Sequence, residues 1–281
     1  MTIPLQEAVT HILRKYVDSF YRNRREKWES QNLVYKTLDK SDPNLAFNPE
    51  VVRERTEGTY VVKVRKSDKE LIAAIEKLGE DVDRLRKQET NELPRIYFDR
   101  HLYLPLLLEK NDKVHIVPPG LKESEAQFVR DLKAYWVAEK DSSLAEKEVF
   151  LLRNLSRGSG VGFFEESGFY PDFILWVVDG KNQRIVFIEP HGMLHAKAYI
   201  HDEKAQLHER LPELGKKMGQ RSKKKNIMLD SFIISATPYD DLYKRYDNGN
   251  WDRAKFAEKH ILFREQEKDY DYLHILFMSV K

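Results

Sequence analysis

The sequence predicts an α/β protein whose central sheet is covered on both faces. Three observations lead there. Phe173 to Val178 (FILWVV) and Arg184 to Ile188 (RIVFI) are apolar on both faces, and Asp179-Gly180 between them is a strong hairpin signal. Leu207, Leu211, Leu214 and Met218 form one stripe in a helix expected over Leu194 to Met218. Ser231 to Ala236 (SFIISA) is β-branched and apolar and reads as a further strand.

The remaining elements follow in chain order. Val9, Ile12, Leu13, Tyr16, Val17 and Phe20 recur at helical spacing, and that helix carries a basic face and end. Thr59 to Val64 (TYVVKV) reads as a strand. Ser67 with Glu70 is a capping-box pattern, so a helix should follow with Leu71, Ile75, Leu78, Val82 and Leu85 on one face. His101 to Leu108 (HLYLPLLL) is apolar but broken by Pro105, which leaves its type open. Val117 to Gly120 (VPPG) stops local structure and marks the best domain boundary. A mostly helical segment with at least one strand is expected over 1–118, and the main α/β domain over 119–281. In the latter a helix should start near Lys122, with Phe128, Val129, Leu132 and Tyr135 facing inward. Glu148 to Leu155 reads as a strand, Ser156 to Gly162 as a flexible loop, and His260 to Phe263 and Tyr272 to Met278 as late strands.

Bulk properties narrow the function classes. The 281 residues are 41% hydrophobic and 33% charged, with 48 basic against 46 acidic side chains. A formal charge of +2 gives no global pull on nucleic acid, so any attraction must come from local clusters. The chain has no cysteine, which excludes disulfides and thiolate zinc sites. No signal-peptide pattern and no membrane-length apolar run occur in the sequence, so a soluble cytoplasmic protein is expected.

The chemistry concentrates on the hairpin. Asp172 opens the first strand and Glu189 closes the second. With the loop centred between Gly180 and Lys181, the two face each other at roughly 4.5–5.5 Å. A turn centred one residue earlier would shift the geometry and keep the proximity. Two carboxylates so placed repel, and a hard divalent cation would relieve them. Such an ion can polarise a phosphodiester and lower the pKa of water. The bland alternative is a turn-capping aspartate and a surface-paired glutamate.

The stretch Phe169 to Met193 (FYPDFILWVVDGKNQRIVFIEPHGM) resembles the PD-(D/E)xK nuclease core of type III restriction enzyme large subunits and related helicase–nuclease fusions. The likeness extends to RNLSRGSGVGFFEE (Arg153 to Glu166), SEAQFVRDL (Ser124 to Leu132) and HLYLPLL near His101. It implies a restriction-endonuclease-like core, a central mixed sheet flanked by helices. Asp172 and Glu189, with the backbone carbonyl of Pro190, would hold Mg2+ or Mn2+. Glu125 stands where the family's first helix often supplies another acid. Arg153 and Asn154 would approach the scissile phosphate, or else make a strand-end salt bridge. One departure is that His191 stands at the family's lysine position. With an ordinary pKa near ~6.5 it is mostly neutral at pH 7, fit to act as a base or to mark a lost activity. Lys197, on the following helix, is a candidate substitute. His195 and His201 are weak zinc candidates without a third ligand.

DNA is the expected substrate, held by Arg153, Arg157 and Lys197 and by the run Lys216, Lys217, Arg221, Lys223, Lys224 and Lys225. No phosphate-loop motif occurs, so no ATP site is expected. An ATP-driven motor in the same protein or a separate subunit would complete a restriction or phage-defence system. Double-strand cutting needs two strand cleavages, which suits a homodimer. The alternatives are a nucleic-acid-binding or helicase-partner module that has lost chemistry, and an RNA-directed nuclease.

Overall fold

The hairpin at Gly180-Lys181 organises the molecule. In the computed structural model, Phe173–Asp179 (β6) pairs antiparallel with Asn182–His191 (β7), in register from Phe173↔Ile188 to Asp179↔Asn182. The two-residue loop has positive φ at Gly180, the position where a tight hairpin of this length favours glycine. The structure describes residues 20, 24, 27, 28, 31–35, 61–80, 93–102, 106–117, 119–154, 170–193, 202–245, 249–264 and 271–278.

Five strands form the main sheet, in the order β5-β6-β7-β8-β9. Lys147–Arg153 (β5) is antiparallel to β6. Ile227–Ser235 (β8) is parallel to β7, and Ile261–Phe263 (β9) is parallel to β8. The sheet is therefore mixed, and the hairpin strands are interior. Helices cover both faces, as the doubly apolar strands require. Phe173, Leu175 and Val177 pack with Phe128, Val129 and Leu132 of the helix Glu123–Glu139, and with Leu276 and Phe277. Ile174, Trp176 and Phe187 pack with Leu207 and Leu211 of the helix Glu203–Ser222. Removing one such fully buried ring, Phe173 for example, would cost about 3–5 kcal/mol.

Ahead of this sheet the described residues form two strand pairs and a helix. Val61–Val64 (β1) pairs antiparallel with Val114–Val117 (β4), and Arg95–Tyr97 (β2) with Leu106–Leu108 (β3). With the helix Lys69–Glu80 (α1), the described part of 61–117 holds four strands and one helix, while much of the 1–118 segment expected to be mostly helical lies outside the described residues. The expected helix over Val9 to Phe20 lies outside the described residues except for Phe20. Ile96, Phe98 and Leu107 join the cluster around Phe128, so apolar packing crosses the turn at Val117 to Gly120. At that turn Gly120 lies so close to the backbone of Glu109 that a Cβ would come within 2.5 Å of it.

Helices from here on are Glu123–Glu139 (α2), Glu203–Ser222 (α3), Tyr239–Leu242 (α4), Arg253–Glu258 (α5) and Tyr272–Met278 (α6). The last corrects an expected strand. Tyr272, Leu273, Leu276 and Phe277 are buried, which is helical spacing, and a seven-residue apolar run does not reveal its period in sequence. Among the described residues, no helix is long and apolar enough to cross a membrane.

Candidate active site

β7 outlasts β6. Beyond Ile188, the residues Glu189, Pro190 and His191 keep their ladder with β8 alone. A proline is tolerated there because no second neighbour asks for its N–H. Where β6 has ended, Asp172 turns in, and its backbone N–H donates to Oε2 of Glu189 at 3.3 Å. The two acids expected to meet do meet.

What holds them is a set of polar contacts around buried groups. Asn154 is 8% exposed, and its side-chain amide donates to the Pro171 carbonyl at 2.8 Å. Its backbone N–H donates to the Asp172 carbonyl at 2.8 Å. Asn154 thus fixes the Pro171-Asp172 corner, and its amide is not free for a phosphate. Ser124 Oγ, on α2, donates to the Pro190 carbonyl at 3.0 Å, which engages one lone pair of the expected backbone ligand. Glu125 is 4% exposed and accepts from the Lys122 backbone N–H at 3.2 Å, closing the first turn of α2. Its carboxylate also meets Lys122 Nζ at 3.0 Å and Arg153 Nη2 at 3.6 Å. Arg153 is therefore held by Glu125, while its Nη1 is buried without a hydrogen-bond partner.

A cation absent from the sequence reading completes the site. Lys204, in the first turn of α3, places Nζ 2.6 Å from Oε1 of Glu189. The Asp202 carboxylate caps that helix by accepting from the N–H groups of Lys204 and Ala205, which fixes where the lysine starts. His191 Nδ1 lies 4.0 Å from the same Glu189 oxygen and has no hydrogen-bond partner. Burial lowers the His191 pKa, so the ring is neutral near pH 7. Asp172 moves the other way. Burial first, then the charges of Glu189 and Glu125, push its carboxyl up to about 7.

The site opens into a cleft of about 1110 Å³ lined by Asp172, Glu125, Arg153 and Tyr170 on one side and by the β1–β4 pair on the other. Among the described residues, no group of three His, Asp or Glu side chains is placed to hold a metal ion. The donor chemistry nonetheless suits a divalent ion. Asp172, Glu189 and the Pro190 carbonyl are hard oxygens, and after burial the charges of Glu189 and Glu125 are what raise the Asp172 pKa.

The basic run is elsewhere. Lys216 and Lys217 lie far along α3, and Lys223 is its left-handed C-cap. Asn226 contacts the carbonyl of Lys181 and accepts from the Gln183 N–H, which puts Lys223, Lys224 and Lys225 beside the hairpin turn. That is the opposite end of β7 from Glu189, roughly 23 Å away at the strand rise. Part of the run has structural partners: Arg221 donates to the Leu33 carbonyl and Lys217 pairs with Glu213. Arg157, Lys197, His195 and His201 lie outside the described residues. No protein-family model, curated protein or solved structure matches this chain.

Proposed function

We propose that this chain is a metal-dependent endonuclease of the PD-(D/E)xK type that hydrolyses DNA phosphodiesters. The observation that supports it is Asp172 hydrogen-bonded to Glu189 at the end of a buried hairpin, with Lys204 on Glu189. Asp172, Glu189 and the Pro190 carbonyl would hold Mg2+ or Mn2+. Such an ion, when bound, supplies a polarised phosphoryl group and a more acidic water.

The protein's own groups account for the rest. Lys204 supplies the fixed positive charge that His191 lacks, aimed at the same carboxylate. Neutral His191, whose Nδ1 is buried beside Glu189, is the group that would take the proton of the attacking water. The new P–O bond forms as the bond to the leaving sugar oxygen breaks, and that oxygen takes a proton from solvent. Asn154 and Ser124 hold the corner and the carbonyl in place. Arg153 and Glu125 form the neighbouring wall. A separate ATP-driven motor as partner, and a role in restriction or defence, go with this reading.

A second reading, a nucleic-acid-binding module without chemistry, draws on the Lys204–Glu189 pair, which leaves less charge for a metal. Plasmid cleavage by wild type and Asp172→Ala, with Mg2+, Mn2+ or a chelator, decides between them. Metal-dependent nicking lost in the variant supports the nuclease. Absence of nicking by a folded, DNA-binding wild type rejects it. Competition between DNA and RNA substrates tests the choice of nucleic acid.

A further inference from the structure

The two strands β1 and β4 have unlike faces. Val62, Val64, Val114 and Ile116 pack on Leu71, Leu93 and Leu108. The alternate residues point away from that cluster: Lys63 is paired in register with His115, and both are exposed. Arg65 and Lys113, just beyond the paired residues, and Lys110 are exposed as well. All five line the cleft that also receives Asp172.

The charge of this wall is one-sided. Among the described residues lining the cleft, the sole acid apart from Glu125 and Asp172 is Asp112. Among the described residues, no carboxylate pairs with Lys63, Arg65, Lys110 or Lys113. Other exposed lysines do have partners, as in Lys217–Glu213 and Lys255–Glu258. Four unpaired cations on one wall of a cleft repel each other, and a polyanion would relieve them. A cleft of about 1110 Å³ is above the range of about 300–1,000 Å³ usual for small ligands, so a single small anion would not fill it.

We propose that the β1–β4 ribbon is the DNA-holding wall of the protein. The sugar-phosphate backbone of a duplex lies along Lys63, Arg65, Lys110 and Lys113 and leads into Asp172 and Glu189. The proposal rests on the nuclease reading for its choice of DNA. It replaces the lysines after α3, which lie at the wrong end of the sheet.

The test is anisotropy of a short labelled DNA duplex in chelator, where no metal-dependent cleavage occurs, across a range of salt. The double variant Lys63→Ala/Lys113→Ala should bind at least about tenfold more weakly. Its salt slope should fall by roughly 0.9 for each lost phosphate contact. Lys223→Ala/Lys224→Ala/Lys225→Ala should bind as wild type does. Lys63, Lys113, Lys223 and Lys225 are exposed and Lys224 is half-buried, and unchanged melting confirms that the variants are folded. Equal loss in both variants, loss in the second alone, or no duplex binding by wild type would overturn the proposal. So would preferential binding of an RNA duplex of the same sequence. The two readings fail separately: intact ribbon dependence without cleavage sinks only the nuclease, and cleavage with normal binding by the ribbon variant sinks only the ribbon.

Discussion

Lys204 Nζ lies 2.6 Å from Oε1 of Glu189, although fifteen residues separate them in sequence. The pair links the start of α3 to the end of β7, beside the position where the sequence has His191. If a charged donor is needed there, Lys204 supplies it. Lys204→Ala should lower cleavage by roughly 10²–10³, the usual size for losing one charge-stabilising donor. Its side chain is 42% exposed, so the melting temperature should barely move. His191→Lys in the Lys204→Ala background should recover part of the rate. Single-turnover cleavage rates of the three proteins check this, and equal rates in wild type and Lys204→Ala would remove the lysine from the mechanism.

Asp172 carries a cost in the metal-free fold. Its pKa rises from an ordinary 3.8 to about 7. The folded state therefore holds the proton more tightly than the unfolded chain. That contribution is fully present below the unfolded value and is lost as pH rises through about 7. Without metal, stability should fall between acid and neutral pH from this group, and Asp172→Asn should remove that component. At pH 8 in chelator the variant should melt higher, by roughly 2–4 °C for each kcal/mol relieved, while cleavage is abolished. Metal binding should release protons near neutral pH, since the acid must ionise to ligate. Calorimetry in buffers of different ionisation enthalpy measures that release.

The parts of this site that were legible in the sequence share a cause. A two-residue turn and a period of two fix a register, so Asp172 and Glu189 could be paired from their positions alone. Both faces of the hairpin are apolar, which fixed its place inside the sheet. Lys204 had no such signal. Its reach depends on where Asp202 caps α3 after a crossover, and no periodicity encodes that. The run from Lys216 to Lys225 gave its charge but not its end of the sheet. Val61 to Val64 reads as a strand, yet its partner at Val114 to Val117 is more than fifty residues away, so the basic face they share could not be seen.

Asn154 tests whether the corner matters apart from the acids. Its amide satisfies the Pro171 carbonyl inside a buried region. Asn154→Ala leaves that acceptor without its partner, at a cost of about 1–3 kcal/mol. The Asp172 carboxylate should then wander, and cleavage should fall more than metal affinity does. Asn154→Asp is the sharper variant, because it removes the donor and adds a negative charge beside Asp172. It should push the Asp172 carboxyl further up and move the pH profile of cleavage to higher pH. An unchanged profile would show that Asn154 has no electrostatic hold on the site.

Gly120 joins the ribbon to the rest of the cleft. A Cβ at this position would lie 2.5 Å from the Glu109 carbonyl carbon and 2.6 Å from Lys110 N. Both are backbone atoms, and both belong to a bridge that cannot shift cheaply: Lys110 N–H donates to the Leu121 carbonyl at 2.7 Å, and Leu121 N–H to that of Leu108 at 2.8 Å. Gly120→Ala should therefore destabilise by about 1–3 kcal/mol, as overpacking does. The strain falls between β3, β4 and the start of α2, so it should displace Lys110 and Lys113 relative to Asp172. DNA affinity should drop together with stability, whereas Gly79→Ala, where a Cβ meets nothing within 4 Å, should leave both intact. Melting curves and duplex-binding isotherms of the two variants, side by side, separate a rigid link at Gly120 from a permissive loop.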